Sequence, residues 1–588
     1  MHRDFERKCA VLSLILVGVC ILLGLAYRFY GGWMENHLDV MEERRTPAHT
    51  LRDGVDYEPT PTPIVFGHHF SSIAGAGPIV GPISAALLFG WGPALIWIVL
   101  GVIFIGSVQD FTSLVASLRN KGQGLAQIGR RFMSPLTYRL FLVFLILTLE
   151  YIIIVFLDMT ASTFAPITVA WGEVNGAPAL TGGTVATASV LTIFIAAVFG
   201  QLWHRFHLSL GKTTLMMVPL VFLGLVVGHF FPLAPSFIPA CFGSDKYFWS
   251  IILLFYCLWA SVLPVWTLLQ PRDYLSSFLL YACLIGGLIG LGLSGFNGSG
   301  VVSWPAFKAW STPSDGSLYP ALFVMIACGA VSGFHALVAS GTTSKQLTNE
   351  RAARPVGMGG MLVEAVLATL ALASVMILSP AAVPQHSAPP AMFASGMEHF
   401  FIPFGIPEGW VMSFVLLAVS TFLLTTLDSC TRLGRLLFQE LTGLPSKTAL
   451  QRVGTTLLLL LPVLLVFREV STPAGPIPMW KAIWPAFGAT NQLLAALALL
   501  MIYSWMRGQG KRALFILIPM VFMFITTMYA LVQLARLNFQ HGNWVLSVLS
   551  IVLMALALEV AVDVTRHLFR ASKNRRLNGV AANVFPKA

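Results

Sequence analysis

The stretch GHHFSSIAGAGPIVGP, residues 67–82, combines histidines and hydroxyls with glycines and prolines inside an otherwise apolar segment. Proline removes a backbone donor and clashes with the preceding turn, and glycine is a poor helix former, so the segment cannot be one smooth helix. In lipid, each freed backbone group costs several kcal/mol unless protein, water or a bound solute satisfies it. Transporters break helices where a solute binds. We therefore expect a substrate site here, rather than a kink packed through small residues, with candidate residues His68, His69, Ser72, Gly75 and Gly77.

The two histidines admit two interpretations. His68 and His69 could relay protons or bind an anionic carboxylate, because histidine titrates near neutrality. They could equally well hydrogen-bond the loose backbone ends. Adjacent histidines point in different directions on a helix, and the seven cysteines form no CxxC or His/Cys cluster. The sequence therefore predicts no metal site, no disulfide framework and no cofactor.

Acidic residues within apolar segments are the next candidates, because an ionised side chain at the centre of a bilayer costs about 2.5–3.5 kcal/mol even on mild scales. Glu150, followed by Tyr151, stands in the middle of LILTLEYIIIV and is the first choice for a proton-coupling carboxylate. Asp110 and Asp428 lie near segment ends, where ion pairs or capping are expected. The remaining acids of this kind are Glu364, Glu559 and Asp563, of which the last two are expected to serve packing or association.

Two further motifs carry polar groups. Arg272 and Asp273 in QPRD could form an inner gate pair, although a turn with solvated charges is an equal alternative. His335 and Trp266 could line a central cavity, whereas a buried aromatic side chain in a helix is usually core.

The composition identifies the elements that must position these residues. Of 588 residues, 56% are hydrophobic and only 10% are charged, and the mean hydropathy is +0.78. Soluble domains carry about 25% charged residues, so the chain is a polytopic all-α membrane protein. At about 20 residues per span, roughly fifteen segments are predicted, centred on 9–27, 64–90, 92–118, 136–158, 184–203, 209–232, 248–269, 274–295, 319–342, 359–380, 409–430, 452–467, 484–503, 513–535 and 542–564.

The basic residues behind the formal net charge of +11 lie in short loops between apolar segments, so they do not indicate a nucleic-acid surface. Lysine and arginine concentrate in alternate loops, which the positive-inside rule places in the cytoplasm together with the C-terminus. With an odd number of spans, the N-terminus lies outside. The predicted domains are an N-terminal helix and cytoplasmic loop (1–63), a ten-helix core (64–440), additional C-terminal helices (441–565) and a basic cytoplasmic tail (566–588).

Interrupted segments recur along the chain. Pro264 interrupts the segment 248–269, five spans after the broken segment 64–90, and this spacing favours an inverted repeat of five plus five helices. Glycines and hydroxyls interrupt SGFHALVASGTTSKQ, residues 332–346.

Several long strings identify a family. AYRFYGG, DGVDYEPT, GHHFSSIAGAGPIVGP, GSVQDF, QPRDYL, SGFHALVASGTTSKQ, TTLDSCTRLGR and WPAFGATNQLLA follow in order from near the N-terminus to about residue 500. On these strings the chain resembles the carbon starvation protein A family of bacterial inner-membrane transporters. The resemblance implies a LeuT-like five-plus-five fold and uptake of peptides, or of pyruvate with protons, during carbon starvation. The predicted spans add one N-terminal helix, where longer relatives have two before the GHHF stretch, and several C-terminal extra helices.

The implied fold suggests an ion site. In this fold the eighth core helix brings hydroxyls to the first helix and forms a sodium site, and the span 319–342 counts as that eighth helix. Ser340, Thr343 and Ser344 share one helical face, so they fit such a site, with packing by small hydroxyls as the alternative. Lys345 either snorkels to the interface or takes the place of the coupling cation.

The sequence thus predicts a multi-pass inner-membrane secondary transporter rather than an enzyme. Its expected partners are a peptide or pyruvate, a proton or sodium ion, and the lipid bilayer. Primary transport is not supported, because no GxxxxGK[ST] motif is present. An intramembrane enzyme has no HExxH or GxSxG motif to support it. The alternative function is a membrane-embedded nutrient sensor that signals to a cytoplasmic or membrane partner.

Overall fold

The computed structural model describes residues 2–165, 181–206, 208–233, 244–297, 301–312, 316–379, 389–443, 448–472 and 475–577. Among these residues, twelve helices are long and apolar enough to cross a membrane, which makes the chain a multi-pass membrane protein. Each of the fifteen predicted segments coincides with a helix or a broken helix. The three that fall outside the twelve, near 248–269, 319–342 and 452–467, coincide with helices that are short or interrupted.

The helices of the first half are α1 (His2–Leu25), α2 (Gly31–His37), α3 (Pro47–Thr50), α4 (Thr62–Ile73), α5 (Gly77–Phe89), α6 (Trp91–Gly101), α7 (Ser107–Arg119), α8 (Leu125–Gly129), α9 (Pro135–Phe164), α10 (Thr181–Gly200), α11 (Leu210–Phe230), α12 (Asp245–Ala260) and α13 (Leu269–Asn297). Those of the second half are α14 (Leu318–Met325), α15 (Gly333–Gly341), α16 (Gly360–Met376), α17 (Pro389–Phe401), α18 (Glu408–Thr442), α19 (Thr448–Val466), α20 (Met479–Gly508), α21 (Leu514–Gln540) and α22 (Trp544–Leu577).

Shorter elements complete the chain. Two antiparallel hairpins pair β1 (Ser311–Thr312) with β2 (Gly316–Ser317), and β3 (Glu469–Thr472) with β4 (Gly475–Pro478), with Val470 opposite Ile477. The π-helical turns are Ala26–Tyr30, Val102–Gly106, Gln201–Arg205 and Arg354–Gly359, and the 3-10 turns are Arg130–Phe132, Thr343–Lys345, Glu350–Ala352 and Ile402–Phe404.

The predicted break in the segment 64–90 is confirmed. Helix α4 ends at Ile73 and α5 begins at Gly77, so residues 74–76 separate two half-helices. A second broken helix is formed by α14 and α15, which are separated by residues 326–332.

The prediction that Pro264 breaks a membrane helix was wrong. Helix α12 ends at Ala260, and Pro264 lies in the turn that leads to α13 at Leu269. A proline can end a helix as readily as it can interrupt one, because in both cases the chain loses the same backbone hydrogen bond. The apolar pattern does not distinguish the two cases.

Helix lengths and packing reveal two similar halves. Each consists of a broken helix (α4–α5 or α14–α15), an interrupted span (α6–α7 or α16), a long helix of 30 or 35 residues (α9 or α18), a short helix of 16 or 19 residues (α12 or α19) and a long helix of 29 or 30 residues (α13 or α20). Helix α13 packs along α4 as α20 packs along α15, and α9 packs against α18. The fold is therefore a five-plus-five repeat with two broken helices.

The hairpin α10–α11 interrupts the first repeat, between its third and fourth helices. It shifts the helix count, so α15 belongs to the first helix of the second repeat and α18 occupies the position of the eighth core helix. The predicted core boundary at residue 440 stays a prediction; from the helix pairing, we infer that the second repeat continues to Gly508. Of the predicted basic tail, residues 578–588 lie outside the described residues.

Ionic contacts tie the segment before α4 to one side of the helical bundle. Glu350 accepts hydrogen bonds from Arg44, at 2.5 Å, and from Arg119, at 2.6 Å. Arg432, almost fully buried, donates to Asp56 Oδ1 over 2.5 Å. We call this the basic side of the bundle, because it gathers the arginine-rich loops that the charge pattern predicts to be cytoplasmic.

We expect Gly77→Ala to destabilise the protein. A Cβ atom at Gly77 would lie 2.1 Å from Cys328 Cβ, so the two broken helices would be forced apart. Overpacking of this kind costs about 1–3 kcal/mol. The thermal midpoint in detergent, followed by size-exclusion chromatography, measures the loss. The matched control is Gly18→Ala, where nothing lies within 4 Å of the new methyl group; an equal loss in both variants would contradict the prediction.

We also expect Asp56→Asn to destabilise the protein in a pH-dependent way. Burial raises the pKa of the Asp56 carboxyl, but the charges of Arg432 and Lys345 outweigh burial and bring the pKa to about 2. Since this folded-state pKa lies below the ordinary value of about 4, the ion pair stabilises the protein fully above pH 4 and loses that effect as the pH falls towards 2.

Removing Asp56 leaves a buried guanidinium unpaired, which costs about 3 kcal/mol, the lower end for buried pairs. Thermal unfolding of the wild type and Asp56→Asn at several pH values measures the difference. Glu42→Gln removes the exposed pair with Arg351, whose side chains are 62% and 66% exposed, and should change stability by less than about 1 kcal/mol. A pH-independent loss in Asp56→Asn would contradict the linkage.

Candidate functional site

The first break lies against α9 and α18. Thr426 Oγ1 donates a hydrogen bond to the Ser72 carbonyl oxygen over 3.0 Å, and the hydroxyls of Ser72 and Ser429 are 3.1 Å apart. At Gly75 a Cβ atom would lie 2.6 Å from both Phe156 Cε1 and Thr426 Oγ1, so only glycine fits at this point. The predicted residues Ser72 and Gly75 are therefore at the break, and the hydroxyls that reach them come from α18.

The second break is held by an amide on α20. Asn491 Oδ1 accepts a hydrogen bond from the Phe334 backbone N–H over 2.9 Å, and its Nδ2 donates to Ser332 Oγ over 3.0 Å. Gln109 Nε2 of α7 donates to the Ser332 carbonyl oxygen over 2.5 Å. Sequence reasoning passed over Asn491 and Gln109, although each is a buried amide inside an apolar helix, a signal that could have identified them.

The two breaks adjoin each other. Gly77 abuts Cys328, Gly81 abuts the backbone of Met325, and Gly329 lies against Pro78. The start of α5 therefore packs against the end of α14 and the second break. Transporters of this architecture bind their solutes at such breaks.

Between the first break and the basic side lies a group that we call the arginine cluster: His68, Arg272, Asp273 and Asp428. His68 Nδ1 is 2.6 Å from Asp273 Oδ2, and Arg272 Nη2 is 2.7 Å from Asp273 Oδ1. Arg272 Nη1 also pairs with Asp428 Oδ2. All four side chains are buried, so the guanidinium bridges two carboxylates without water.

Two hydroxyls complete the hydrogen bonding of these carboxylates. Thr425 Oγ1 donates to Asp273 Oδ1 over 2.9 Å, and the Tyr256 hydroxyl donates to Asp428 Oδ2 over 2.9 Å. The cluster thereby joins α4, α12, α13 and α18. The structure brings together the predicted residues His68, Arg272 and Asp273, and adds Asp428, for which sequence reasoning expected an ion pair or capping role.

A second group lies beside the second break, and we call it the histidine–carboxylate cluster: Asp110, His335 and Glu364. His335 Nδ1 is 3.1 Å from Asp110 Oδ2, and His335 Nε2 is 3.6 Å from Glu364 Oε2. All three side chains are fully buried. His335 was predicted to line a cavity; its two carboxylate neighbours come from α7 and α16.

His69 faces away from His68. Its Nδ1 lies 2.9 Å from Thr343 Oγ1, and its ring packs on Gly360 of α16. The two adjacent histidines therefore serve different groups, as the helical geometry predicted.

The other predicted hydroxyls meet α7 rather than the first broken helix. Ser117 Oγ donates to Ser344 Oγ over 2.8 Å and lies 3.1 Å from the Ser340 carbonyl oxygen. Ser340 Oγ accepts from the Leu125 backbone N–H over 3.1 Å. Of the hydrogen bonds that these three described hydroxyls make, one reaches α4, from Thr343 to His69.

Lys345 lines a cavity of about 320 Å³ on the basic side, between α8, α15 and α18. Gln127, Ser340, Leu433 and Glu440 also line this cavity, which we call the vestibule. The Lys345 ammonium lies 5.3 Å from the centre of the Tyr57 ring, a cation–π contact.

Glu150 stands in the middle of α9 and is 7% exposed. Among the described residues, its Oε2 and the Tyr151 hydroxyl have no hydrogen-bond partner. Glu150 is therefore a nearly buried carboxyl group outside both clusters.

The remaining candidates lie away from the breaks. Trp266 is in the turn after α12 and stacks on His204, with ring centroids 4.4 Å apart. Asp563 Oδ2 accepts from the Ser134 backbone N–H over 2.7 Å, and Glu559 contacts Thr137. These two acids join α22 to the start of α9.

Comparison with known proteins identifies the family of this chain. A family model described as carbon starvation protein CstA matches residues 10–394 and 381–530. The peptide transporter CstA of Escherichia coli is 31% identical, over 88% of this chain and 80% of that protein. The pyruvate/proton symporter BtsT of Escherichia coli is 30% identical, over 89% of this chain and 81% of that protein.

Among solved structures, the Eremococcus coleocola manganese transporter is 13% identical, covering 88% of this chain and 99% of its own, with a TM-score of 0.46. That likeness is too weak to bear on the fold or the solute. The family model and the relatives instead agree with each other over most of the chain. This protein belongs to the carbon starvation protein CstA family.

Proposed function

We propose that this protein is a proton-coupled secondary transporter that imports pyruvate or short peptides across the bacterial inner membrane. The observation that carries the proposal is the meeting of two helix breaks inside the bundle, flanked by buried protonatable side chains. Freed backbone groups at such breaks can bind a solute, and buried protonatable groups can bind the proton that accompanies it.

The relatives support both solutes to a similar degree. One is named a peptide transporter and another a pyruvate/proton symporter, at 31% and 30% identity. Both solutes carry a carboxylate, and two features of the chain suit that group: the half-helix N-terminus of α5 at the first break and the Lys345 ammonium in the vestibule. Glu440 in the same vestibule offers a partner for the amino terminus of a peptide, which pyruvate lacks.

The arginine cluster is the proposed inner gate. It lies between the first break and the basic side and connects four helices through buried charges, so a solute leaving the break towards that side must separate them.

Proton coupling is preferred over sodium coupling because the predicted sodium ligands already have protein partners. Ser344 bonds to α7, Ser340 to the first residue of α8, and Thr343 to His69. Glu150, by contrast, has a free carboxylate oxygen among the described residues. We keep it as the proposed proton carrier, and we assign Lys345 to guiding the solute carboxylate through the vestibule.

We expect purified protein in liposomes to accumulate labelled pyruvate or a labelled dipeptide when an inward proton gradient is imposed, and not when a sodium gradient replaces it. Accumulation of only one of the two solutes identifies the substrate. Accumulation driven by sodium alone would return the coupling role to Ser340, Thr343 and Ser344. If neither solute accumulates under either gradient, the transport proposal for these solutes fails and the sensor alternative replaces it.

We expect Glu150→Gln to lower proton-driven uptake by about tenfold or more, because the amide cannot carry the proton, a loss of the size of ordinary coupling free energies. Initial rates of uptake under a fixed proton gradient measure the effect. Glu559→Gln, in the last helix and outside the two repeats, is the matched control and should transport like the wild type. Wild-type uptake by Glu150→Gln would remove this residue from the coupling mechanism.

A further inference from the structure

The imidazole of the histidine–carboxylate cluster lies between two acids. Its Nδ1 faces Asp110 and its Nε2 faces Glu364, and none of the three side chains is exposed to solvent. Among the described residues, Asp110 Oδ1 and both carboxylate oxygens of Glu364 lack a hydrogen-bond partner. No arginine or lysine is paired with either acid within the described ranges.

Counting charges shows that this cluster must hold protons. A neutral imidazole with two ionised carboxylates would place two unbalanced negative charges in a dry interior, which is far more costly than protonating them. Two added protons make the cluster neutral. A neutral imidazole also carries only one N–H, so it can donate to one acid alone. The 3.6 Å separation of His335 Nε2 and Glu364 Oε2 is longer than a hydrogen bond, and Nε2 lacks a hydrogen-bond partner among the described residues. Glu364 must therefore be protonated, or the ring must be an imidazolium that balances its charge.

The geometry suits a proton rather than a metal ion. The two ring nitrogens point at different carboxylates, so one imidazole cannot bring both acids to a shared metal. Within the described ranges, no three His, Cys, Asp or Glu side chains are grouped so as to hold a metal ion.

The other titratable side chains around α15 have their hydrogen-bond or ion-pair partners outside the cluster. On α4, His68 bonds to Asp273 and His69 to Thr343. On α18, Asp428 pairs with Arg272. Helix α20 contributes the amide Asn491, which also reaches Cys328 Sγ at 3.4 Å. Asp110, His335 and Glu364 therefore form one group by contact, and two neighbouring side chains interact with it electrostatically: His69 with His335, and Cys328 with Glu364.

The position of the cluster links proton binding to helix movement. His335 lies in the first turn of α15, directly after the break at residues 326–332. Asp110 comes from α7 of the first repeat, whereas Glu364 comes from α16 of the second. Any tilt of α15 about the break changes both distances, and water admitted between the side chains would stabilise the charged, deprotonated acids.

We propose that Asp110, His335 and Glu364 form a coupling-proton site that holds its protons while α15 is packed against α7 and α16 and releases them when α15 moves. This site is separate from Glu150 and from the gate. The coupling role rests on the proposed transport function and adds a proton site to it. Proton storage in the cluster does not depend on transport.

The test compares two modes of transport in liposomes, for whichever solute the wild type accumulates. His335→Gln and Glu364→Gln should lower accumulation driven by a pH gradient by about tenfold or more, the usual size of a coupling term. Counterflow of the same solute at equal pH on both sides should stay near the wild-type rate, because exchange needs no net proton movement. Glu364→Asp, which keeps a titratable group, should restore part of the accumulation.

His399→Gln, on α17 and outside the cluster, is the matched histidine control. Wild-type accumulation by both His335→Gln and Glu364→Gln would overturn the proposal, and so would an equal loss of accumulation and counterflow in well-folded variants. Asp110→Asn replaces any variant that fails size-exclusion chromatography.

Infrared difference spectroscopy of the purified protein separates this proposal from the transport function. At neutral pH the wild type should show a protonated buried carboxyl band that Glu364→Gln or Asp110→Asn removes. If the wild type accumulates neither solute, the transport proposal fails, and the infrared band still decides whether the cluster stores a proton. A band unchanged in both variants would overturn the cluster assignment.

Discussion

Backbone groups freed at a helix break must find partners inside the membrane, and this constraint organises the protein. At the first break the partner is Thr426 of α18, and at the second it is Asn491 of α20. Thr426 belongs to the other repeat, whereas Asn491 belongs to the same repeat as the second break, to which Gln109 of the first repeat also donates a hydrogen bond. Each break is therefore completed by a side chain from the opposite repeat. Close backbone approach then brings the breaks together, with Gly77 against Cys328. The same contacts that satisfy the backbone thereby create a polar region in an apolar bundle.

The buried charges divide into two groups with different chemistry. Arg272 gives the first group a permanent positive charge, which pairs with two aspartates and holds four helices together near the basic side. The second group contains no permanent cation, so its charge depends on how many protons Asp110, His335 and Glu364 hold. The first group is suited to closing the path of the solute, and the second is suited to binding and releasing protons. The two groups lie on different broken helices. Under the proposed function, proton binding at the second group and opening of the first group are therefore separate steps.

Much of the architecture follows from apolar segment length, because a span needs about 20 residues whatever its neighbours are. All fifteen predicted segments appear as helices or broken helices, and the break after Ile73 was predicted from glycine and proline alone. The second break was assigned to Pro264 instead of residues 326–332, because a proline at a helix end and one at an interruption look the same in sequence. The prediction also counted α10 and α11 as core helices, although they form an inserted hairpin, so every later core helix was numbered two too high. The role assigned to Ser340, Thr343 and Ser344 depended on that count and stays a prediction.

Residue types and their burial in apolar segments were sufficient to single out His68, Glu150, Arg272 and Asp273, since a charge or imidazole in a membrane helix is costly unless it serves a function or a partner. The partners themselves were decided only by tertiary structure. Asp273 meets His68 across 205 residues of chain, and Asp110 meets His335 across 225. Such pairings depend on which helix faces which, and hydropathy carries no information on helix rotation or neighbours. The sequence by itself therefore determined the class, the spans and the chemistry available, whereas packing decided which polar groups lie next to one another.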